Sequence, residues 1–483
     1  MALATLALVN LFTLTAGIAV ARLLPARLAA LKVPVEAAQM PQSSSSVLPA
    51  LEESTALGSA TRGSATPGQG TGATGAPPSA AGLQRILVAA LSGTQASVGL
   101  TVSDAATSRI LYDFHGGSES TPASTTKVAT AVASVAVLGA NTRFTTKVVQ
   151  TGSGIVLVGG GDPALAVNDY PAADYPQPAT LASLAKQAAA ALRAHGRTSV
   201  HLDYDASLFQ GAPYAPGWTD SVRTSGNATP IVALEVDQGR LTTGGQPEDA
   251  DDPTNFRVRT PHPAQMAVGA FVAELRNDGI TVTGTPGSVV VSPGVTIAAV
   301  NSPTVAGLVQ QMLSESNNVM AEDLARQTAL AMHLPATFAG AAAAIEREIR
   351  NLGVTDNVTL VDGSGLSPRD GIAPHALVET LEVAAAQQRL RTALQGLPVA
   401  GFNGTLSVGQ SVFGGITGAA RGTVRAKTGN LQTVATLAGF VTDSNGRLLV
   451  FAIMADDFPA ARLDMVANAI DSAAAGLATC GCR

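Results

Sequence analysis

The spacing of apolar residues divides the chain into segments with strand period and segments with helix period. Residues 98–114 alternate apolar and polar side chains around a turn after Asp104, which predicts a β-hairpin. Further strands are predicted at 142–158, 422–428, 434–442 and 447–455. Helical spacing predicts helices at about 124–138, 181–194, 263–277, 303–313, 318–331, 338–352 and 459–476. Together they predict a sheet with helices packed on it, interrupted by a β-rich stretch at 142–295.

The N-terminal residues differ from this globular pattern. Residues 2–21 carry no charge, and about twenty apolar residues are enough to cross a bilayer as a helix. Ala19-Val20-Ala21 also offers a small-x-small cleavage site. The segment 1–33 is therefore interpreted as either a membrane anchor or a cleaved signal segment. By charge alone the orientation favours a cytoplasmic body, because the positive residues follow the apolar run, at Arg22, Arg27 and Lys32.

Residues 34–83 are rich in Ser, Gly, Thr, Ala and Pro. Such a composition buries too little apolar surface to order itself, so we predict a disordered, flexible linker. Its run from Gly70 to Gly75 formally matches a dinucleotide-binding fingerprint. No predicted strand precedes this run and no predicted helix follows it, so the match is interpreted as chance.

Composition narrows the possible functions. The 483 residues are 46% apolar and 13% charged, which allows a large core and, at ~150 residues per domain, roughly three folded units. A net charge of −6 and only 4% aromatic residues argue against a nucleic-acid partner. Neither His-x-x-x-His nor Cys-x-x-Cys occurs, so we expect no metal and no cofactor. For residues 479–483, which contain Cys480 and Cys482, we predict a loose tail, with a Cys-x-Cys bridge or an intermolecular pair as alternatives.

The first of three candidate catalytic motifs is Ser124-Thr125-Thr126-Lys127. At the start of a helix it places a hydroxyl and an amine on one face, beside free backbone N–H groups. A lysine kept from water and near other cations is neutral enough to take the proton of a serine nucleophile. A second Ser-x-x-Lys, Ser183 to Lys186, lies inside an amphipathic helix and is interpreted as solvated surface.

The other two motifs offer a proton relay and an anion site. Ser316-Asn317-Asn318 lies between two predicted helices, where its hydroxyl can pass a proton and its amide can hold a substrate amide. The similar segment 225–227 is interpreted as an ordinary turn. Lys427-Thr428-Gly429 lies on an edge-like strand, where the first two side chains can bind a carboxylate and the glycine admits a substrate backbone.

In this order and on these elements, the three motifs resemble the signature of the serine penicillin-recognising enzymes. More narrowly, the chain is similar to the D-alanyl-D-alanine carboxypeptidase/endopeptidase family of low-molecular-mass class C penicillin-binding proteins (peptidase family S13). About 190 residues separate Ser124 from Ser316, a gap where that family carries extra domains and compact β-lactamases do not. Further supporting segments are Gly-Gly-Gly-Asp-Pro at 159–163, Asp-Gly-Ser-Gly-Leu-Ser at 362–367, Pro-Val-Ala-Gly at 398–401 and Gly-Thr-Leu at 404–406.

The resemblance covers roughly 84–478 and implies a fold of the α/β (α+β) class. That fold is a penicillin-binding-protein/β-lactamase-like transpeptidase domain, in which helices pack on an antiparallel sheet and a β-rich insertion splits the domain. The transpeptidase-like domain would comprise 84–141 together with 296–478, and the inserted domain or domains would comprise 142–295.

The resemblance also implies a set of site roles. It assigns Ser124 as nucleophile, Lys127 as base, Ser316 as proton relay, Asn318 as peptide contact, Lys427 and Thr428 as carboxylate site, Gly429 as part of the substrate-binding strand, and the backbone N–H groups of Ser124 and Asn430 as oxyanion hole. Two positions depart from the family, which usually has Thr at 430 and Asp at 403, whereas this chain has asparagine at both. Because position 430 supplies a backbone N–H, we expect the change there to alter specificity rather than abolish activity.

The implied function is that of a serine-type D-Ala-D-Ala carboxypeptidase or endopeptidase. It would act on peptidoglycan stem peptides through an acyl-enzyme, and β-lactam antibiotics would acylate the same serine. Cross-linked wall lies outside the membrane, so the resemblance favours an extracytoplasmic protein, anchored in the membrane or secreted through its N-terminal segment, against the charge bias. The alternatives are a β-lactamase or esterase of the same superfamily and a catalytically inactive cell-wall-associated protein. A Ser-His-Asp hydrolase is disfavoured, because no Gly-x-Ser-x-Gly elbow occurs.

Overall fold

The computed structural model describes residues 75–152, 154–169, 175–224, 226–241, 258–291, 294–408, 413–416 and 418–482. The predicted membrane or signal segment at 1–33 and most of the predicted linker at 34–83 therefore lie outside the described residues.

The strands of the described residues, in chain order, are β1 (Ser97–Asp104), β2 (Arg109–Phe114), β3 (Thr145–Gln150), β4 (Ile155–Val158), β5 (Ser199–Asp205), β6 (Thr281–Thr283), β7 (Val295–Asn301), β8 (Val358–Thr359), β9 (Gly371–Ile372), β10 (Val424–Leu431), β11 (Val434–Thr442) and β12 (Leu448–Asp456). The α-helices are α1 (Ala80–Leu91), α2 (Thr126–Leu138), α3 (Leu181–Ala194), α4 (Asp220–Thr224), α5 (Pro263–Asn277), α6 (Val305–Ser314), α7 (Asn318–Ala331), α8 (Phe338–Asn351), α9 (Pro374–Ala386) and α10 (Leu463–Thr479).

An antiparallel sheet of five strands, in the order β10-β11-β12-β1-β2, lies between two layers of helices. Alternate residues of β12 serve the two layers. Val450 and Met454 pack with α2, α6, α7, α8 and α9 on one face, whereas Phe451 and Ile453 pack with α1 and α10 on the other. The predicted fold class, helices packed on an antiparallel sheet, is confirmed.

A second sheet of five strands, in the order β6-β5-β4-β3-β7, lies in the stretch between α2 and α6. Strand β3 pairs antiparallel with β4 and β7, whereas β4, β5 and β6 run parallel. Parallel strands need crossover connections, which α3 and α5 supply while covering the sheet with residues such as Leu184 and Phe271. Because the chain enters this sheet through β3 and leaves it through the neighbouring β7, we propose an inserted domain that begins at the predicted boundary of 142 and continues past the predicted end at 295 to the end of β7, at about 301.

Three helices have no counterpart among the predicted elements, and one of them, α4, is only five residues long. Helix α1 begins inside the predicted linker, where Ser79 caps it and Leu83 and Leu87 lie on its buried face. Alanine-rich sequence suits a helix as well as a linker, so composition alone misplaced this boundary. Helix α9 is missed for another reason: apart from the half-buried His375, Glu379 and Glu382, its residues are almost all apolar, so its helical period is weak.

The expectation of a loose C-terminal tail is wrong. Cys480 and Cys482 form a disulfide, and Cys480 is buried in the core between the sheet, α1 and α10. The carbonyl oxygen of Cys482 accepts a hydrogen bond from the N–H of Ser79 at 2.8 Å. This hydrogen bond holds the tail against the start of α1. The cysteine sulfur atoms also suit this apolar surface, because they behave as apolar groups.

Candidate active site

The segment that carries Ser124 is a short 3-10 turn, Ala123–Thr125, which leads directly into α2. Thr436 of β11 fixes this turn, because its Oγ1 donates to the carbonyl oxygen of Pro122 at 2.8 Å. Ala123 is held at a φ of 45°, a left-handed conformation that is uncommon outside glycine. Strained backbone of this kind persists where surrounding contacts fix it, and it clusters at functional sites.

Lys127 is the second residue of α2, about one helical turn after Ser124 and on the same face, and its side chain is fully buried. Its Nζ contacts three oxygens, namely Ser124 Oγ at 2.8 Å, Asn318 Oδ1 at 2.7 Å and the Ser364 carbonyl at 2.7 Å. The three oxygens come from separate stretches of sequence, namely the 3-10 turn before α2, the start of α7 and the loop between β8 and β9, and they converge on one amine.

Burial controls the charge of this amine. Removal from water lowers the pKa of Lys127 to about 7, while the negative charges of Asp362, Glu322 and Asp370 act in the opposite direction. Near neutral pH a substantial fraction of the amine is therefore uncharged, a state that an exposed lysine does not reach.

The partners of the amine decide where its lone pair points. A neutral amine has two N–H donors and one lone pair, and a carbonyl or amide oxygen can only accept. The two protons of neutral Lys127 therefore face Asn318 Oδ1 and the Ser364 carbonyl. The lone pair is left facing the hydroxyl of Ser124, where it can accept the proton of a nucleophile.

The Asn318 amide is oriented from its other side. Its Nδ2 donates to the carbonyl oxygen of Asn227 at 3.0 Å, which directs Oδ1 toward Lys127. Asn227 belongs to segment 225–227, interpreted from sequence as an ordinary turn, and Gly226 is in a turn in the structure. Both polar atoms of Asn318 are thus used within the protein, in addition to any substrate contact expected of the amide.

Ser316 lies in the connection between α6 and α7, at a φ of 55°. Its hydroxyl accepts from Lys427 Nζ at 2.9 Å. The next residue, Asn317, caps α7, because its Oδ1 accepts from the N–H of Met320 at 3.1 Å. Its Nδ2 donates to Gln238 at 2.9 Å, so a residue from the second-sheet region also fixes the start of this helix.

Lys427 is fully buried in β10, and its Nζ donates to Ser316 Oγ and to the carbonyl oxygen of Thr428 at 2.8 Å. Burial, and to a smaller extent the positive charge of Lys127, lowers the pKa of Lys427 well below its usual value. The Thr428 hydroxyl lies 2.6 Å from that of Thr405. A carboxylate placed beside this amine would favour its charged form again, so the group is suited to bind an anion.

Strand β10 forms the edge of its sheet beside the nucleophile. The N–H of Ala426 points away from β11, because it donates to the carbonyl oxygen of Pro398 at 3.0 Å. Residues two apart in a strand point the same way, so the N–H groups of Thr428 and Asn430 also face outward from the sheet. This half of the edge offers backbone donors to an extended ligand.

Gly429 brings this edge close to Ser124. A Cβ at position 429 would lie 2.8 Å from the carbonyl oxygen of Pro122 and 2.9 Å from the backbone nitrogen of Ser124. Such distances are shorter than van der Waals contact, so the approach requires glycine. The edge strand and the 3-10 turn consequently meet backbone to backbone beside the candidate nucleophile.

The loop between β8 and β9 supplies the third contact of Lys127, and a carboxylate shapes it. Asp362 Oδ1 accepts from the N–H groups of Ser364 at 3.0 Å and Gly365 at 2.6 Å. Gly365 has a φ of +81°, and a Cβ there would lie 1.8 Å from the carbonyl oxygen of Ala123. The loop is therefore pressed against the turn that carries the nucleophile.

Helices α2 and α7 both hold Gly363, the residue before this contact. Thr130 Oγ1 of α2 donates to its carbonyl oxygen at 2.6 Å, and Glu322 of α7 accepts from its N–H at 3.1 Å. The carbonyl that faces Lys127 is thus fixed from two helices as well as from within the loop.

The predicted site residues lie in one connected group, which comprises Ser124, Lys127, Ser316, Asn318, Lys427, Thr428, Gly429 and Asn430. Ser183 and Lys186 are both exposed on α3, away from this pattern of buried contacts. Sequence reasoning missed the carbonyl groups of Asn227 and Ser364, because every residue offers a carbonyl and its position depends on the fold. The role of Asp362 was also missed, although its segment contributed to the family resemblance.

Comparisons with known proteins find relatives over most of the chain. The model of the D-Ala-D-Ala carboxypeptidase 3 (S13) family matches residues 83–251 and 240–477. Carboxypeptidase DacB of Mycolicibacterium smegmatis is 35% identical over 417 residues, which cover 84% of this chain and 85% of that protein. The D-alanyl-D-alanine carboxypeptidase of Actinomadura sp. strain R39 is 29% identical over 411 residues, which cover 72% of this chain and 76% of that protein.

A solved structure shares the fold. The crystal structure of penicillin binding protein 4 from Haemophilus influenzae aligns with a TM-score of 0.64, covering 79% of this chain and 96% of that chain. The sequences are 22% identical, so this likeness concerns the fold alone.

Proposed function

The chain belongs to the D-Ala-D-Ala carboxypeptidase 3 (S13) family, and we propose that Ser124 is its nucleophile and Lys127 the base that activates it. The protein is a serine-type D-Ala-D-Ala carboxypeptidase, a hydrolase that acts on peptidoglycan stem peptides through an acyl-enzyme. One observation carries the assignment of roles: the buried amine of Lys127 meets two oxygens that can only accept, so its lone pair faces Ser124.

Acylation begins when Ser124 Oγ attacks the carbonyl carbon between the two terminal D-alanines, and its proton passes to Lys127 Nζ, 2.8 Å away. The carbon–nitrogen bond then breaks, and this proton reaches the leaving nitrogen by way of the Ser316 hydroxyl. Water next attacks the ester, and its proton returns through Lys127 to Ser124 Oγ. The products are the shortened peptide, which ends in the new carboxyl group, and free D-alanine.

The oxyanion formed in both steps is held by the backbone N–H groups of Ser124 and Asn430. The close approach of Gly429 to the Ser124 nitrogen supports this pairing, as does the outward direction of the Asn430 N–H. One such donor contributes about 3–4 kcal/mol to transition-state stabilisation in other acyl-transfer enzymes. Because a backbone group performs this role, the side chain of Asn430 is free to influence substrate preference.

The C-terminal carboxylate of the substrate is held by Lys427 and Thr428. A bound carboxylate would raise the pKa of Lys427 again, so substrate binding and protonation of this amine support each other. Gly429 lets the peptide backbone lie along β10. Asn318 contacts the peptide from the opposite side while it orients Lys127.

β-Lactams react at the same serine, since their amide takes the place of the D-Ala-D-Ala bond. The leaving group stays tethered, so the acyl-enzyme persists. Rapid release of hydrolysed penicillin would instead favour the β-lactamase or esterase alternative. Complete failure to label would favour the inactive cell-wall protein.

The rate of penicillin acylation is expected to rise with pH through about 7 and then to level off. Neutral Lys127 is the active form, and burial lowers its pKa to about 7. Below this value the protonated fraction grows, so the second-order rate constant should fall ~tenfold per pH unit. Labelling with a fluorescent penicillin from about pH 5 to about pH 9 measures the profile. A rate constant that still rises ~tenfold per pH unit at about pH 9, as expected for a base with the ordinary lysine pKa of 10.5, would contradict the assignment of the base.

The proposed working place is outside the cytoplasmic membrane, since cross-linked wall exists only there. No helix of the described residues is long and apolar enough to cross a bilayer. The candidate anchor or signal at 2–21 lies outside those residues. We expect export through it, and an enzyme reporter that works only outside the cytoplasm should be active when fused after Arg483. A silent fusion, with a cytoplasmic reporter active at the same position, would contradict export.

A further inference from the structure

The indole of Trp218 makes a contact that the proposed reaction steps do not use. Its Nε1–H donates to Asp362 Oδ2 at 2.7 Å. Trp218 lies between β5 and α4, in the region of the second sheet, whereas Asp362 lies in the loop that touches Lys127. The bond is a direct polar link from the proposed insertion to the surroundings of the base.

Asp362 is fully buried, and its carboxylate organises the loop through several donors. One oxygen accepts from the N–H groups of Ser364 and Gly365, and the other accepts from the N–H of Ser367 at 2.7 Å and from Trp218. A buried carboxylate without its donors is costly, so the loop keeps its shape only while these bonds hold. The carbonyl oxygen that receives the lysine amine belongs to this same loop.

The segment that carries the indole is itself pressed against the loop. The carbonyl oxygen of Pro216 accepts from Ser367 Oγ at 2.9 Å. Gly217 has a φ of +92°, and a Cβ there would lie 2.7 Å from Ser367 Oγ. The Trp218 ring packs edge-on against Phe338, with 5.5 Å between ring centroids. The indole therefore has little freedom to leave the carboxylate.

Helix α7 holds the same segment from the other end. The buried guanidinium of Arg326 donates to the carbonyl oxygens of Gln210 at 2.9 Å and Ala212 at 3.3 Å. Because α7 also begins with Asn318, one helix fixes both an acceptor of the lysine and the chain that leads to Trp218. Helix α7, the segment that leads to Trp218 and the loop between β8 and β9 are therefore joined around the base by direct contacts.

We propose that Trp218 is a positioning residue for the acylation base. Its indole N–H holds the Asp362 carboxylate, and through it the Ser364 carbonyl, where that carbonyl receives Lys127. The inference rests on the proposed role of Lys127 as base. It gives the inserted region a part in acylation, because the second-sheet region supplies the donor.

The contact also acts on the charge of the base. The charged groups that influence the pKa of Lys127 or are influenced by it are Asp362, Glu322, Asp370 and Lys427. Among the carboxylates Asp362 has the largest effect. An N–H donor offsets part of its negative charge, so removal of this donor favours the ammonium form of Lys127. Acylation should then require a higher pH.

The chain contains a single tryptophan, which allows a one-atom test. Full-length protein produced with benzothienylalanine in place of tryptophan carries sulfur instead of the indole N–H at position 218 alone. We expect acylation by fluorescent penicillin at pH 7 to slow by about tenfold or more, and the midpoint of its pH profile to move upward. A midpoint that does not move upward, whatever the rate, overturns the proposal.

A matched variant separates positioning from general loosening. Phe271→Leu removes a buried ring from α5 in the core of the second sheet, and it should lower the melting temperature without moving the pH midpoint. An equal upward shift in Phe271→Leu would assign the effect to a loosened insertion and overturn the proposal. Identification of the penicillin-labelled peptide of the unaltered enzyme tests the proposed function separately from the role of Trp218. Label on Ser124 supports the proposed function even if the Trp218 proposal fails. Label on another residue would contradict the proposed function itself.

Discussion

Ser124→Ala is expected to abolish covalent labelling by a fluorescent penicillin, a loss of roughly three orders of magnitude or more in rate. The hydroxyl is the group that forms the ester, and no water or neighbouring residue can replace it. Ser183→Ala provides the matched control, because Ser183 and Lys186 have the same spacing but are both exposed on α3. Its labelling should equal that of the unaltered protein.

Gel labelling of both variants, with melting temperatures recorded in parallel, measures the difference. Ser124 is only half-buried, so its replacement should leave the fold intact. Equal labelling of the two alanine variants would mean that Ser124 is the wrong serine.

Lys127→Met is expected to lower the acylation rate by about 10²–10⁴-fold while the protein stays folded. Methionine keeps the length of the side chain and suits a fully buried site, but it cannot take a proton. The remaining rate should also lose its dependence on pH near 7, because the group that titrates there is gone. Lys186→Met is the control, since that exposed lysine should be replaceable without effect.

Stopped-flow acylation across the pH range measures both quantities. A Lys127→Met protein that is acylated at nearly the normal rate, with an unchanged pH midpoint, would show that another group activates Ser124.

The spacing of apolar residues along the sequence predicted those helices and strands that have one buried and one solvated face. Helices α3, α5 and α7 were predicted at 181–194, 263–277 and 318–331, which are their observed bounds. Side-chain caps at Thr180 and Asn317 mark two of these starts in the sequence itself. Helix α9 was not recognised in this way, because its polar stripe is limited to three half-buried residues in an otherwise almost wholly apolar sequence.

In the candidate site, too, contacts between residues close in sequence could be predicted, whereas contacts between residues distant in sequence could not. The Ser-x-x-Lys spacing is local, since one helical turn brings Ser124 and Lys127 together whatever surrounds them. The other acceptors of the amine are not local. Ser364 contributes a backbone oxygen, so its side chain carries no signal of the role.

Contacts between residues far apart in the chain are the hardest to predict from a single sequence. Trp218 and Asp362 are 144 residues apart in the chain, and only the packing of the second-sheet region against α7 and the loop brings them together. The tail was mispredicted for a similar reason, because the surface that covers Cys480 belongs to α1, nearly the whole chain away. Family resemblance supplied the activity, whereas these contacts had to come from the fold.

Mass spectrometry of purified stem peptides ending in D-Ala-D-Ala, incubated with the full-length protein, tests the central claim most directly. Dimeric cross-linked peptides in the same experiment report whether the endopeptidase reaction also occurs. We predict loss of one D-alanine from the stem peptide, blocked by prior treatment with penicillin and absent in Ser124→Ala. Unchanged peptides, or release of D-alanine that persists in Ser124→Ala, would contradict the account.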